Sequence, residues 1–230
     1  YFRSFREKNL GEIQLIGLKH INLKQASEEI RARLKKIEQE EVQTTISDEV
    51  KSDLKDAAFA HPLSTILLRY FNPVGAHPST AIGELPIGRP QNLVPAITQT
   101  AIGKLPKMQV HGADYDTRDG SCIRDYIHVC DIAHAHTLAI QYSIQHNQPN
   151  SCEIFNLGTG NGITVLEAIH AFEKVSGVKL NYEIGPRRAG DIVSIYANND
   201  HAVKQLGWHC KYDLEDMMRT AWEWEQSLAN

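Results

Sequence analysis

Ile66-Leu67-Leu68 is a continuous apolar run that passes through Arg69-Tyr70-Phe71 into Asn72-Pro73-Val74-Gly75-Ala76-His77-Pro78. That order suits a strand emptying into a loop. Bulky and β-branched residues without polar alternation predict a strand covered on both faces, and Pro73 and Gly75 end its ladder. In an open parallel sheet, ligands bind outside the carboxyl ends of the strands. A site is therefore expected near residues 71–78. Two later stretches are expected to converge there: Arg124-Asp125-Tyr126-Ile127-His128-Val129 and Pro186-Arg187-Arg188-Ala189-Gly190-Asp191.

The remaining composition narrows the classes. A chain of 230 residues can bury a sizeable core, and its formal charge of -4 gives no long-range attraction for nucleic acid or an anionic membrane. An anionic ligand would have to be met by local arginines. No apolar run approaches a membrane span and no signal-peptide pattern opens the chain, so a cytoplasmic location is expected. Cys122, Cys130, Cys152 and Cys210 lack the spacing of a zinc site or a disulfide framework, and they read as reduced thiols. His134 and His136 lie two apart on an expected helix and face different directions, so no metal site is expected.

Residues 1–63 differ from the rest. Ile30, Leu34 and Ile37 form a thin apolar stripe along a charge-laced helix expected from Ser27 to Gln43, and a shorter helix is expected from Ser47. Residues 1–60 carry eleven basic and eleven acidic side chains, which argues against a nucleic-acid arm. A solvated helical segment is expected here. The chain begins at Tyr1, which suggests a fragment or a processed start.

Beyond residue 64 the pattern is α/β. Asn92 is placed to open a helix from Leu93 to Gly103 whose start could receive a phosphate. Met108–Gly112 and Glu153–Leu157 read as strands, and Ile127–His146 as a helix. Gly158-Thr159-Gly160-Asn161-Gly162 imitates a dinucleotide fingerprint, but its last glycine is one place early. Its glycines read as structural. Thr164 and Glu167 form a capping-box pattern for a helix closed by Gly177, and Trp208, Trp222 and Trp224 read as packing for the closing helices.

The segments LRYFNPVGAHP, QNLVP, RDYIHV, NLGTG, PRRAGD and LGW together resemble the C-terminal half of the UDP-glucose 4-epimerases, extended short-chain dehydrogenases/reductases, over about residues 64–230. The resemblance implies the C-terminal part of that α/β fold: a substrate domain with the remaining Rossmann strands, lacking the N-terminal Rossmann half. The complete family interconverts UDP-glucose and UDP-galactose in galactose metabolism, using bound NAD. By resemblance, Asn72 would contact the sugar-phosphate, Asn92 and Leu93 would lie along the diphosphate, and Gln109, Val110 and His111 would flank the uracil. Arg124 and Arg188 would meet the phosphates, Asp191 a ribose hydroxyl, and Phe71 the nicotinamide of NAD. Taken without the family, Arg124 with Asp125, or Arg188 with Asp191, would read as local ion pairs.

Two positions depart from the family pattern. His111 stands where an apolar aromatic is expected, and Ile195 where the family places the residue that limits sugar size. The family's GxxGxxG turn is absent, and none of the eight tyrosines is followed four residues later by lysine: Phe5, Val74, Asp119, Cys130, His146, Pro186, Asp200 and Asp216 occupy those places. The chain alone is thus expected neither to retain NAD nor to catalyse. A UDP-sugar-binding remnant or a protein-interaction module is the alternative, and self-association or a complementing dinucleotide-binding chain is the expected partner.

Overall fold

The computed structural model describes residues 64–146, 148 and 151–228. The helices expected at 27–43 and after Ser47 lie outside the described residues. Strand β1 (Thr65–Tyr70) runs into β2 (Asn72–Val74), followed by α1 (Leu93–Ala101), β3 (Met108–His111), β4 (Ile123–Arg124), β5 (Tyr126–His128) and α2 (Val129–Gln145). Then come β6 (Cys152–Leu157), β7 (Ile163–Thr164), α3 (Val165–Ser176), β8 (Tyr182–Gly185), α4 (Asp200–Leu206) and α5 (Leu214–Ser227).

Strands pair across long sequence distances. β1 pairs in parallel with β6, β2 with β5 and β3 with β8, while β4 and β7 pair antiparallel. Because β2 follows β1 after one residue, the carboxyl end of β1 is carried directly alongside the RDYIHV segment. Asn72 N–H donates to the Asp125 carbonyl at 2.9 Å and locks the two together.

Two apolar clusters hold the elements. One joins Val94 and Ile97 of α1 and Val110 of β3 to Ile169 and Phe172 of α3 and Met217 and Met218 of α5. The other gathers Ile127, Ile132 and Ala135 around Phe155, Leu157 and Trp208. Trp208 is wholly buried, and its indole N–H donates to the Asp131 carbonyl at 2.9 Å. The tryptophans do pack as expected: Trp222 meets Phe172 edge-on, and Trp224 donates to the Glu84 carbonyl.

The periodicity of the sequence overstates the cover over β1. Every residue from Thr65 to Tyr70 is only half-buried, because β6 is its one ladder neighbour among the described residues. Ile140 and Ile144 of α2 are likewise exposed. Helix starts are also shifted. Ile127 and His128 belong to β5, so α2 begins at Val129, and α1 ends at Ala101 rather than Gly103. Asn92 flanks α1 without capping it: its amide donates instead to Glu84 at 2.8 Å. The capping box of Thr164 and Glu167 forms as expected, and Gly177 closes α3 with φ 70°. Among the described residues no helix is long and apolar enough to cross a membrane.

His128 links these parts. Its imidazole accepts from the Cys130 N–H at the start of α2, contacts the Thr220 hydroxyl at 3.1 Å and stacks on Tyr212 at 4.0 Å. Gly75 is obligatory beside it, since a Cβ there would lie 2.6 Å from the ring and φ is 80°. Burial lowers the His128 pKa from 6.5, against the opposing pull of Asp131 and Asp216. The unfolded chain therefore takes up the proton more readily. The stabilisation is fully present above the ordinary value near 6.5 and is lost as pH falls from there towards the lowered folded value. Urea unfolding on both sides of that pH should show this loss. In His128→Asn, which keeps a capping acceptor, the pH dependence should be shallower; an unchanged slope would remove His128 as its source.

Candidate functional site

A cavity of about 960 Å³ opens at the carboxyl ends of β1 and β3. Its volume is that of a site for a sizeable small molecule. The β1–β2 junction lines it with Phe71 and Asn72, the start of α1 with Asn92 and Leu93, and β3 with Gln109, Val110 and His111. Arg124, Arg188 and Asp191 complete the wall. Of the residues singled out in the sequence, ten meet here. Ile195 does not line the cavity; its N–H pairs with the Ile123 carbonyl at 3.2 Å, and its segment extends β4.

The alternation of β3 decides what each of its residues offers. Met108 and Val110 are buried in the core while Gln109 and His111 face out. Gln109 lies flat over Gly185 of β8, where a Cβ would come within 2.2 Å of its amide nitrogen. Val110 is 1 % exposed and contributes wall rather than a polar handle.

Arg124 and Arg188 share one carboxylate. Arg188 donates to Asp191 Oδ1 at 2.7 Å, and Arg124 reaches the same oxygen at 3.4 Å while its other amine donates to the Ile123 and Ile192 carbonyls at 2.8 and 2.6 Å. Arg124 is mostly buried and Arg188 mostly exposed. Arg89 and Lys107 are also on the wall, Lys107 paired with Glu183 at 2.6 Å, so the cations still outnumber the carboxylates. The site therefore carries excess positive charge in a chain whose formal charge is -4. The first turn of α1 adds to it: no acidic residue and no capping side chain occupies that helix start.

Of the two local ion pairs that the sequence offers, only Arg188 with Asp191 forms. Asp125 turns away from Arg124 into the protein. Fully buried, it accepts from the Thr159 N–H at 2.8 Å and hydroxyl at 2.7 Å through Oδ1, and from the Gly160 and Ala197 N–H groups at 3.1 and 3.0 Å through Oδ2. The N–H groups of the glycine turn are thus engaged internally. The Thr159 and Gly160 N–H groups are not free to cradle a dinucleotide pyrophosphate at this turn; Phe71 lines the cavity. Among the described residues no cluster of three or more metal-ligating side chains occurs, and the four cysteines are free thiols. Sequence reasoning missed Tyr126 and Cys122 on the wall. Both lie two residues from Arg124, the spacing that strand alternation returns to one face.

A family model described as GDP-mannose 4,6 dehydratase matches residues 54–221. The chain belongs to this family. Within it, the UDP-glucose 4-epimerase of Yersinia enterocolitica is 50% identical over 182 residues, covering 79% of this chain and 53% of that protein. The bifunctional UDP-glucose 4-epimerase and UDP-xylose 4-epimerase 1 of Pisum sativum is 51% identical over 162 residues, covering 70% and 46%. A solved UDP-glucose 4-epimerase from Stenotrophomonas maltophila, with bound NAD and formylated UDP-arabinopyranose, has a TM-score of 0.74 at 47% identity over 80% of this chain and 53% of that one. The Bifidobacterium longum enzyme, in complex with NAD+ and UDP, has a TM-score of 0.73 at 43% identity over 79% and 53%. The chain spans about half the length of the curated relatives it matches. Its fold is that of the C-terminal half of an extended short-chain dehydrogenase/reductase.

In this family member the internal bonds of Asp125 support the site from behind. Asparagine at 125 would present its amide group to two donors in either orientation, one of them always a backbone N–H that cannot turn away. Asp125→Asn should destabilise the fold by about 2 to 4 kcal/mol, read as a lower urea midpoint. A loss below about 0.5 kcal/mol, ordinary for a surface change, would contradict this assignment.

Proposed function

We propose that the cavity holds a UDP-sugar, so that the chain supplies the nucleotide-sugar side of a UDP-glucose 4-epimerase. The observation that carries this reading is the excess of arginine in one cavity beside an uncapped helix start, which suits a diphosphate. Arg124 and Arg188 would exchange their shared hold on Asp191 for the phosphate oxygens. Asp191 is then released to accept from a ribose hydroxyl, and Gln109 and His111 present outward-facing side chains to the uracil. Asn72, Asn92 and Leu93 lie where the diphosphate and sugar would follow. Phe71 would face a nicotinamide held by other residues, and Ile195, outside the cavity wall, would act on sugar size only through its neighbours.

Calorimetric titration with UDP tests this reading. The 230-residue chain should bind UDP, and Arg188→Ala should weaken binding by about 1 to 3 kcal/mol, the scale of a hydrogen bond to a charged group. No binding would overturn the site; equal affinities would remove Arg188 from it.

By themselves these 230 residues hold no Tyr-x-x-x-Lys pair, and their glycine turn is bonded to Asp125. They are proposed to bind a nucleotide-sugar without turning it over. Assay of the purified chain should show no interconversion of UDP-glucose and UDP-galactose; turnover with copurified NAD would refute this. The half-buried β1 and the exposed Ile140 and Ile144 leave an apolar face, which favours self-association or a complementing dinucleotide-binding chain. Light scattering should show species larger than a monomer, with a melting temperature that rises with concentration. A monodisperse monomer with a concentration-independent melt would contradict it.

A further inference from the structure

Arg187 stands next to Arg188 in sequence yet takes no part in the cavity wall. Its side chain crosses to the segment after β3. There Nε donates to the Asp114 carboxylate at 2.8 Å, an amine donates to the Asp114 carbonyl, and the guanidinium carbon lies 4.3 Å from the centre of the Tyr115 ring. Tyr115 is itself 6 % exposed, so the platform under the guanidinium is part of the core and does not swing. Gly112 shows how tightly the layers are pressed: a Cβ there would lie 2.5 Å from the Tyr115 ring and 3.0 Å from the Arg187 chain.

The contact bridges 73 residues of sequence and joins two segments that each end in the cavity. Upstream, His111 ends β3; downstream come Arg188 and Asp191, with Asp191 N–H held only by the turn back to the Arg188 carbonyl at 3.2 Å. Arg188 is mostly exposed and Gly190 has φ 80°; Arg124 ties the far end of the turn at Asp191 and Ile192, and the Arg187 contact ties its near end. We propose that Arg187 is a positioning residue: clamped by Asp114 and Tyr115, it holds the 186–191 turn over the cavity and thereby aims Arg188 and Asp191 at the ligand. This rests on the UDP-sugar reading of the cavity.

A double-mutant cycle in the full 230-residue chain tests it, with UDP and uridine titrated by calorimetry. Arg187→Ala should weaken UDP roughly fivefold to thirtyfold, the scale of a cation–π contact combined with a surface ion pair. Uridine keeps the ribose that Asp191 would meet but has no phosphate for Arg188, so it should lose distinctly less than UDP. Combined with Arg188→Ala, the change at 187 should cost clearly less than it does alone, since part of its effect runs through Arg188. Tyr115→Phe keeps the ring and should bind UDP as the parent does. Additive losses, or an equal loss for uridine and UDP, would show that Arg187 serves stability or a separate contact and would overturn the proposal. Hydrogen exchange of the amides of residues 188–191 reads the clamp without any ligand. They should exchange faster in Arg187→Ala and not in Tyr115→Phe, and unchanged exchange overturns the clamp. If the parent chain binds no UDP, the reading of the cavity fails, and the clamp still stands or falls on the exchange result.

Discussion

Asp125 is a fully buried carboxylate whose two oxygens each collect two donors, tying the RDYIHV segment to the glycine turn and to Ala197. Burying such a charge without partners would cost several kcal/mol, so the surrounding backbone has little freedom to depart from this arrangement. Gly158 is a consequence of it, since a Cβ there would lie 2.4 Å from Asp125 Oδ2. So is the place of Arg124: with its neighbour turned inward, the arginine projects outward onto the cavity wall. The cationic end of the cavity is thus held by a buried bond network that lies outside the cavity wall.

The elements legible from the sequence were those with local chemistry. Thr164 and Glu167 stand three apart, and Gly177 follows a packed face, so α3 could be bounded without tertiary knowledge. The cavity residues Asn72, Arg124 and Arg188 were reached through family resemblance, since no periodicity brings residues so far apart to one wall. What remained hidden depends on distant partners. Asn92 has the residue type of a cap, yet its side chain is turned to Glu84, to which its amide donates, and burial pushes the Glu84 carboxyl above its usual range. Asp125 beside Arg124 looks like an ion pair until the glycine turn is folded against it.

The site is also balanced against itself. Asp191 occupies both arginines, which prevents two guanidinium groups from facing each other uncompensated, and it leaves a surplus of positive charge that a single carboxylate cannot neutralise. The proposed diphosphate would compete with the resident carboxylate for the same forks. On that reading, specificity would depend on whether the ligand also gives Asp191 a donor to replace what it loses.

Strand β1 bears on how the protein is made. Its ladder partner follows 87 residues later, so Arg69 waits that long for Asn156. At translation rates of about 5 to 20 residues per second, the delay is about 4 to 17 s. Through that interval Ile66, Leu67 and Leu68 are synthesised and emerge ahead of β6, the strand they pair with among the described residues. Arg69 ends this apolar run with a charge, and Pro73 soon follows, the two kinds of residue that keep a nascent strand from pairing with a neighbouring copy on the same polysome.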